Sequence, residues 1–183
     1  FGAVDLGTAL SKVWGNTVIN WDAYTGATAL DSMKIALNLQ QTPDQIAQIA
    51  SLGWVAGYGW EWVNLAYLVG GCWLLYKRII TWHIPVAMLL GLGSLATILW
   101  ALNTHHYPNP LFHLLGGATM LGAFFIATDP VSASTTPVGK IIFGLSIGGL
   151  VYVIRTWGGY PDSVAFAVIV MNMSVPLIDR YTQ

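Results

Sequence analysis

Ile84-Pro-Val-Ala-Met-Leu-Leu-Gly-Leu-Gly-Ser-Leu-Ala-Thr-Ile-Leu-Trp-Ala-Leu102 runs for 19 residues without a charged side chain. A helix that crosses a bilayer needs about 20 mostly apolar residues, so this stretch reads as a transmembrane span. Pro85 falls in the first turn, where a helix tolerates proline. The same pattern repeats on both sides. A span over residues 53–76 stops at Lys77-Arg78, and a third runs from Leu111, after Pro108-Asn109-Pro110, to the residue before Asp129-Pro130. A fourth covers 138–156 and a fifth 163–178. The two prolines and the lack of charge between the second and third spans predict an irregular loop there.

Composition agrees with this pattern. Of 183 residues, 55% are hydrophobic and only 8% charged, with seven Lys+Arg against eight Asp+Glu, where a typical soluble domain carries about 25% charge. So few charges do not cover a water-exposed surface. A disordered chain is excluded because it would be polar and charged. A nucleic-acid binder is excluded because there is no cationic surplus to neutralise phosphates. The single Cys excludes a disulfide framework or a multi-Cys metal site within this chain. An all-α polytopic membrane protein remains. The chain starts at Phe1 without an initiator Met or a signal region, and it reads as a piece of a longer protein.

Two zones follow. Residues 1–52 are mixed and polar, and form an outer segment; residues 53–183 form a five-helix transmembrane half-domain. Basic residues in short joints favour the cytoplasmic side. Lys77, Arg78, Lys140 and Arg180 are therefore placed inside, and residues 1–52 outside. Within the outer segment, Thr42-Pro-Asp-Gln45 reads as a capping box with Pro at the first helical position. Within the fourth span, Gly144-Leu-Ser-Ile-Gly148 is a small-residue stripe on which a neighbouring helix would pack closely, although Gly is common in membrane helices generally.

One motif carries chemistry: Asp22-Ala-Tyr-Thr25-Gly26-Ala27-Thr28, followed by Ala-Leu-Asp31. Thr28 suits an N-cap, with Asp31 three residues on, for a helix over 29–37. A hydroxyl at a helix N-terminus also sits where the helix dipole and free N–H groups favour a phosphate, with Lys34 near in sequence. Both readings stand together.

The pattern D-x-x-[S/T]-G-A-T resembles the flavinylation motif recognised by ApbE-type flavin transferases. The resemblance extends through Gly57-Tyr-Gly-Trp-Glu-Trp-Val-Asn-Leu-Ala66, Trp82-His-Ile-Pro85, the run from Phe112 to Val131, Trp157-Gly-Gly-Tyr-Pro-Asp162 and Val175-Pro-Leu-Ile-Asp179. Together these stretches resemble the D subunits of Rnf ion-translocating electron-transport complexes. They are more distantly similar to the B subunits of Na⁺-translocating NADH:quinone reductases. The resemblance covers nearly all of residues 15–183 and corresponds to the C-terminal half of such a protein. It implies a ten-helix, urea-transporter-like fold for the whole, in a bacterial inner membrane.

Carried over residue by residue, Thr28 bears FMN as a phosphoester, and Asp22, Thr25, Gly26 and Ala27 complete the transferase's recognition motif. Ala29 stands where relatives often have Pro, which leaves the attaching hydroxyl unaffected. The resemblance puts Thr28 on the periplasmic side. It implies electron flow between ferredoxin and NAD coupled to Na⁺ or H⁺ movement. The implied partners are other membrane subunits, including a second one with covalent FMN, and a flavin transferase during maturation. A second, non-covalent flavin stays open. The chain is an electron-carrying subunit in this reading, not a self-contained enzyme, with no catalytic residue and no metal site. The rival classes are a membrane channel or transporter and a structural subunit without a redox cofactor.

Other residues are weighed on position. The loop from Asp129 to Thr136 also offers hydroxyls among small residues, but lacks the Gly-Ala-Thr core and falls on the inner side. Asp129 caps a turn or helix there, or serves an ion path or a non-covalent flavin. Glu61 is an acid near a span end, functional or simply solvated. His113 reads as a hydrogen-bonded structural histidine, Cys72 as a packed thiol, and His105-His106 lacks further metal ligands. Trp54, Tyr58, Trp60 and Trp62 read as an interfacial belt or as a surface that stacks on a flavin ring. Arg155 snorkels to the interface or meets an anionic flavin or lipid phosphate.

Overall fold

The computed structural model describes residues 29–39, 60–160 and 162–183. Every regular element among them is helical. In chain order these are α1 (Ala29–Asn38), α2 (Trp60–Tyr76), α3 (His83–Leu102), α4 (Pro110–Leu115), α5 (Thr119–Leu121) running into a π-helical stretch (Gly122–Ile126), α6 (Pro137–Trp157) and α7 (Val164–Thr182). Among the described residues three helices, α3, α6 and α7, are long and apolar enough to cross a membrane. The chain is a helical polytopic membrane protein.

Local sequence sets the helix ends. Asn109 accepts from the Leu111 N–H at 2.9 Å, with Pro110 at the first helical position, so α4 starts on a side-chain cap. The Thr136 hydroxyl accepts from the Gly139 N–H at 2.9 Å and Pro137 follows it, which starts α6 by the same device. At the end of α2, Ile79 N–H bonds back to the Leu74 carbonyl and Arg78 N–H to Leu75, both at 3.0 Å. Arg78 has φ +56°. This is a Schellman-type close at the two basic residues expected to stop the first span. The predicted break between the second and third spans is present: α3 ends at Leu102 and regular helix resumes only at Pro110.

The first span is described as a 17-residue helix from Trp60; residues 53–59, assigned to the same span, lie outside the described residues. One expectation needs correction: the third span is not one helix. It is interrupted at Gly116-Gly117, with Gly117 at φ +59°, a left-handed conformation that Gly adopts without a Cβ penalty. Beyond the break the chain winds wider, with Ala127 N–H bonding to the Gly122 carbonyl at 2.8 Å, the i→i+5 pattern of a π-bulge.

The core forms where α3 and α6 cross. Met88, Leu92 and Ala96 of α3 pack against Phe143, Ile147 and Val151 of α6, all fully buried, with Ala123 and Phe124 from the π-helical stretch and Val164 and Ala167 from α7. The small-residue stripe makes this approach possible. A Cβ on Gly144 would meet the Ile84 carbonyl oxygen at 2.7 Å, and one on Gly148 the Leu92 nitrogen at 2.7 Å. Gly91 on α3 faces the Leu145 backbone reciprocally. The two backbones thus touch, which is how dispersion holds helices together in lipid. Large apolar residues such as Leu90, Ile98, Val153, Ile169 and Leu177 point outward, the surface a bilayer covers.

Candidate functional site at a broken membrane helix

An interrupted helix leaves backbone groups without helical partners, and in an apolar setting each unsatisfied group costs several kcal/mol. The residues around Gly116-Gly117 meet that requirement from three directions. From α2, the Asn64 amide donates to the Leu115 carbonyl at 2.9 Å and the Gly117 carbonyl at 3.0 Å, while its oxygen accepts from the Met120 N–H at 3.3 Å. From α6, the Arg155 guanidinium donates to the His113 carbonyl at 2.7 Å, the Gly116 carbonyl at 3.3 Å and the Thr119 hydroxyl at 2.9 Å. From the α6–α7 turn, Asp162 accepts from the Ala118 N–H at 2.9 Å and pairs with Arg155 at 3.3 Å. The Thr119 hydroxyl lies 2.9 Å from both the His113 and the Gly116 carbonyl and shares its one proton between them. The break is therefore a built structure, held by a planar five-donor cation, a two-faced amide and a carboxylate.

Helix α1 seats on this region. Leu30, Met33 and Ala36 form one buried stripe at i, i+3 and i+6 and pack with Phe112 of α4, the spacing of an amphipathic face. Lys34 reaches the C-terminal end of α6, where its ammonium donates to the Arg155 carbonyl at 3.3 Å and to the Gly158 carbonyl. A cation there satisfies free carbonyls and meets the negative end of the helix dipole.

The stretch from Asp22 to Thr28, which resembles a flavinylation motif, falls just before α1 in sequence. Asp22, Thr25, Gly26, Ala27 and Thr28 lie outside the described residues, as does the helix assigned from Pro43. The helix expected over 29–37 is present as α1, with Asp31 in its first turn. The chemistry next to Thr28 in sequence fits an esterified phosphate: the first N–H groups of a helix have no intrahelical acceptor, although the Asp31 carboxylate sits in the same turn.

Several other residues take places different from those expected. Arg155 does not snorkel. Its side chain is only 2% exposed, because the carbonyls freed by the glycine break draw the guanidinium inward. His113 is buried, but its ring is not hydrogen-bonded as expected: neither nitrogen has a partner among the described residues. The contacts it makes are edge-on with Phe112 and Tyr152. Cys72 is exposed, not packed, since α2 buries only Asn64 and Gly71. Asp129 takes its capping role, accepting from Ser132 through the N–H at 3.1 Å and the hydroxyl at 2.8 Å. The other hydroxyls of that loop are engaged: Ser134 donates to Asp179, Thr135 donates to the same carboxylate at 2.9 Å, and Thr136 pairs with Thr182 at 2.6 Å. Trp60 and Trp62 are exposed at the start of α2, and Glu61 lies in its first turn; Trp54 and Tyr58 lie outside the described residues. Sequence reasoning misses Asn64 and Asp162. The Gly116-Gly117 pair inside an apolar run is the sequence feature that bears on them, but such pairs also sit inside unbroken helices, as Gly148-Gly149 does here.

The model of the NQR2, RnfD, RnfE family matches residues 3–183. Over 166 residues the chain is 56% identical to the D subunit of the ion-translocating oxidoreductase complex of Yersinia pseudotuberculosis, a match that covers 90% of this chain and 47% of the relative. The protein of the same description from Vibrio atlanticus is 55% identical over 162 residues, 88% of this chain and 47% of its own length. That from Klebsiella pneumoniae is 53% identical over 163 residues, with the same coverage of both. The chain spans about half the length of the curated relatives it matches. With the family model matched from residue 3 to residue 183, the chain belongs to the NQR2, RnfD, RnfE family.

Proposed function

We infer that the chain is part of a flavin-carrying membrane subunit of an ion-translocating electron-transport complex, with FMN joined through its phosphate to the Thr28 hydroxyl. The observation that carries this reading is the position of the motif. It immediately precedes α1, whose apolar face and Lys34 fasten it to the end of α6 and to the broken third span. A carrier attached there is tethered to the bundle and not to a free strand.

When bound, FMN supplies one- and two-electron chemistry that no side chain of this chain provides. The chain's own residues do the rest. Asp22, Thr25, Gly26 and Ala27 present the hydroxyl to a flavin transferase, and the first N–H groups of α1 favour the phosphate charge. The bundle holds this segment at the membrane. Relatives are described as subunits of ion-translocating oxidoreductase complexes. In the proposal, this chain works beside other membrane subunits, one with its own covalent FMN. Electrons pass between ferredoxin and NAD, coupled to Na⁺ or H⁺ movement across a bacterial inner membrane, with Thr28 on the periplasmic face.

A second reading, a channel or transporter without a redox cofactor, is favoured by one observation. Discontinuous helices at membrane depth often line transport sites, and the third span is broken. Flavin fluorescence that stays with the polypeptide in a denaturing gel separates the two. The proposal expects a fluorescent band that Thr28→Val abolishes; a dark band from cells that produce the transferase overturns it.

A further inference from the structure

Between α1, the loop of residues 103–109 and α4 lies a cavity of about 80 Å³, lined by Met33, Lys34, Tyr107, His113, Arg155 and Thr156 among others. Two of these side chains are almost fully buried and carry unsatisfied groups. Neither the two imidazole nitrogens of His113 nor the Nε–H of Arg155 has a hydrogen-bond partner among the described residues. Buried polar atoms without partners cost about 1–3 kcal/mol each, and native structures relieve such groups with protein or ordered water.

The donor and acceptor pattern selects the ligand. Arg155 Nε–H donates only. A neutral imidazole donates through one nitrogen and accepts through the other. An anion would leave the accepting nitrogen unpaired, and a cation would face the Arg155 guanidinium and the Lys34 ammonium. An apolar molecule would satisfy none of the three. A ligand that both accepts and donates, and is small, fits all of them. One water needs about 10–15 Å³ of such a cavity and two to four polar partners, so there is room for a few.

We propose that this cavity is a hydrated site, in which bound water bridges the His113 imidazole and the Arg155 Nε–H to the polar groups of α1 and the 103–109 loop. The water completes the network at the broken helix, whose backbone groups are already met by Asn64, Thr119, Asp162 and the Nη atoms of Arg155. Helix α1 forms one wall, so the hydration of His113 depends on the seating of the segment that follows the flavinylation motif. The site rests on the geometry of the break and stands whether or not Thr28 carries FMN.

The test is a map of the intact complex, purified in lipid nanodiscs, at a resolution that shows ordered water elsewhere. The proposal expects discrete peaks at about 3 Å from a His113 ring nitrogen and from Arg155 Nε. Met33→Trp, which fills the cavity, should remove them while the Asn64 and Asp162 contacts persist. Water-edited solid-state NMR on the unaltered complex, with labelled histidine and His113→Gln to assign the signal, gives a second readout. His113 should receive water magnetisation, as the exposed His106 does. A cavity without peaks, density for a lipid chain or a flavin in it, or a His113 ring that receives no water magnetisation overturns the proposal.

Discussion

Arg155 and Asp162 pair at 3.3 Å across the end of α6, and each then grips a different side of the same break: Arg155 the carbonyls of His113 and Gly116, Asp162 the N–H of Ala118. The pair is asymmetric in burial, with side-chain exposures of 2% and 38%. The cation is therefore the member whose loss is expensive. Arg155→Met leaves the Thr119 hydroxyl without its donor and one of the two carbonyls short of one, since the single Thr119 proton serves only the other, at about 1–3 kcal/mol for each buried group. It should lower stability by about 2 kcal/mol or more, seen as a clear drop in the melting temperature of the purified complex. Asp162→Asn keeps an acceptor and should cost less. An unchanged melting temperature for Arg155→Met would refute the role given to the guanidinium.

Gly148 is where α6 lies against the α3 backbone, so Gly148→Val has nowhere to place its side chain. Overpacking of this kind costs about 1–3 kcal/mol or more when the neighbour is backbone. Gly148→Val should sharply reduce assembled complex, measured by native electrophoresis. Gly93→Ala, whose Cβ would meet only Leu114 methyl groups at 3.9 Å, should assemble normally. Equal assembly of the two variants would contradict the close helix contact.

Lys34 ties α1 to the α6 terminus through two carbonyls. Lys34→Met keeps much of the apolar stem and removes the donor. Amide hydrogen exchange in residues 30–38 should speed up several-fold while α3 stays protected. Unchanged exchange in α1 would mean that the apolar stripe alone seats it.

Much of this architecture is legible in the residues. Pro108-Asn-Pro110 marks a helix start, Lys77-Arg78 marks a stop, and Gly144 and Gly148 mark the contact face of α6. The break in the third span is not, because Phe112-His-Leu-Leu-Gly-Gly-Ala-Thr-Met-Leu counts as one apolar run, and glycine pairs occur in unbroken membrane helices. Nor is the fate of Arg155: its position near a helix end permits snorkelling, and the choice is made by carbonyls some 40 residues away in sequence. Asn64 escapes for the same reason, since its partners lie more than 50 residues on.

The sidedness proposed above rests on the basic residues in the joints. Cys residues introduced singly at Lys140 and beside Thr28, in a Cys72→Ser background because Cys72 is exposed, should label from opposite faces with an impermeant reagent. Labelling of both from one face would overturn the assignment of residues 1–52 to the periplasm.

Whether Thr28 carries the flavin is decided by peptide mass spectrometry of the complex purified from cells that contain the transferase. The expected result is an FMN-sized adduct on the peptide that contains Thr28, retained in Thr135→Val and Thr136→Val and lost in Thr28→Val. An adduct on the loop of residues 132–136 with Thr28 unmodified, or an unmodified chain altogether, would contradict it.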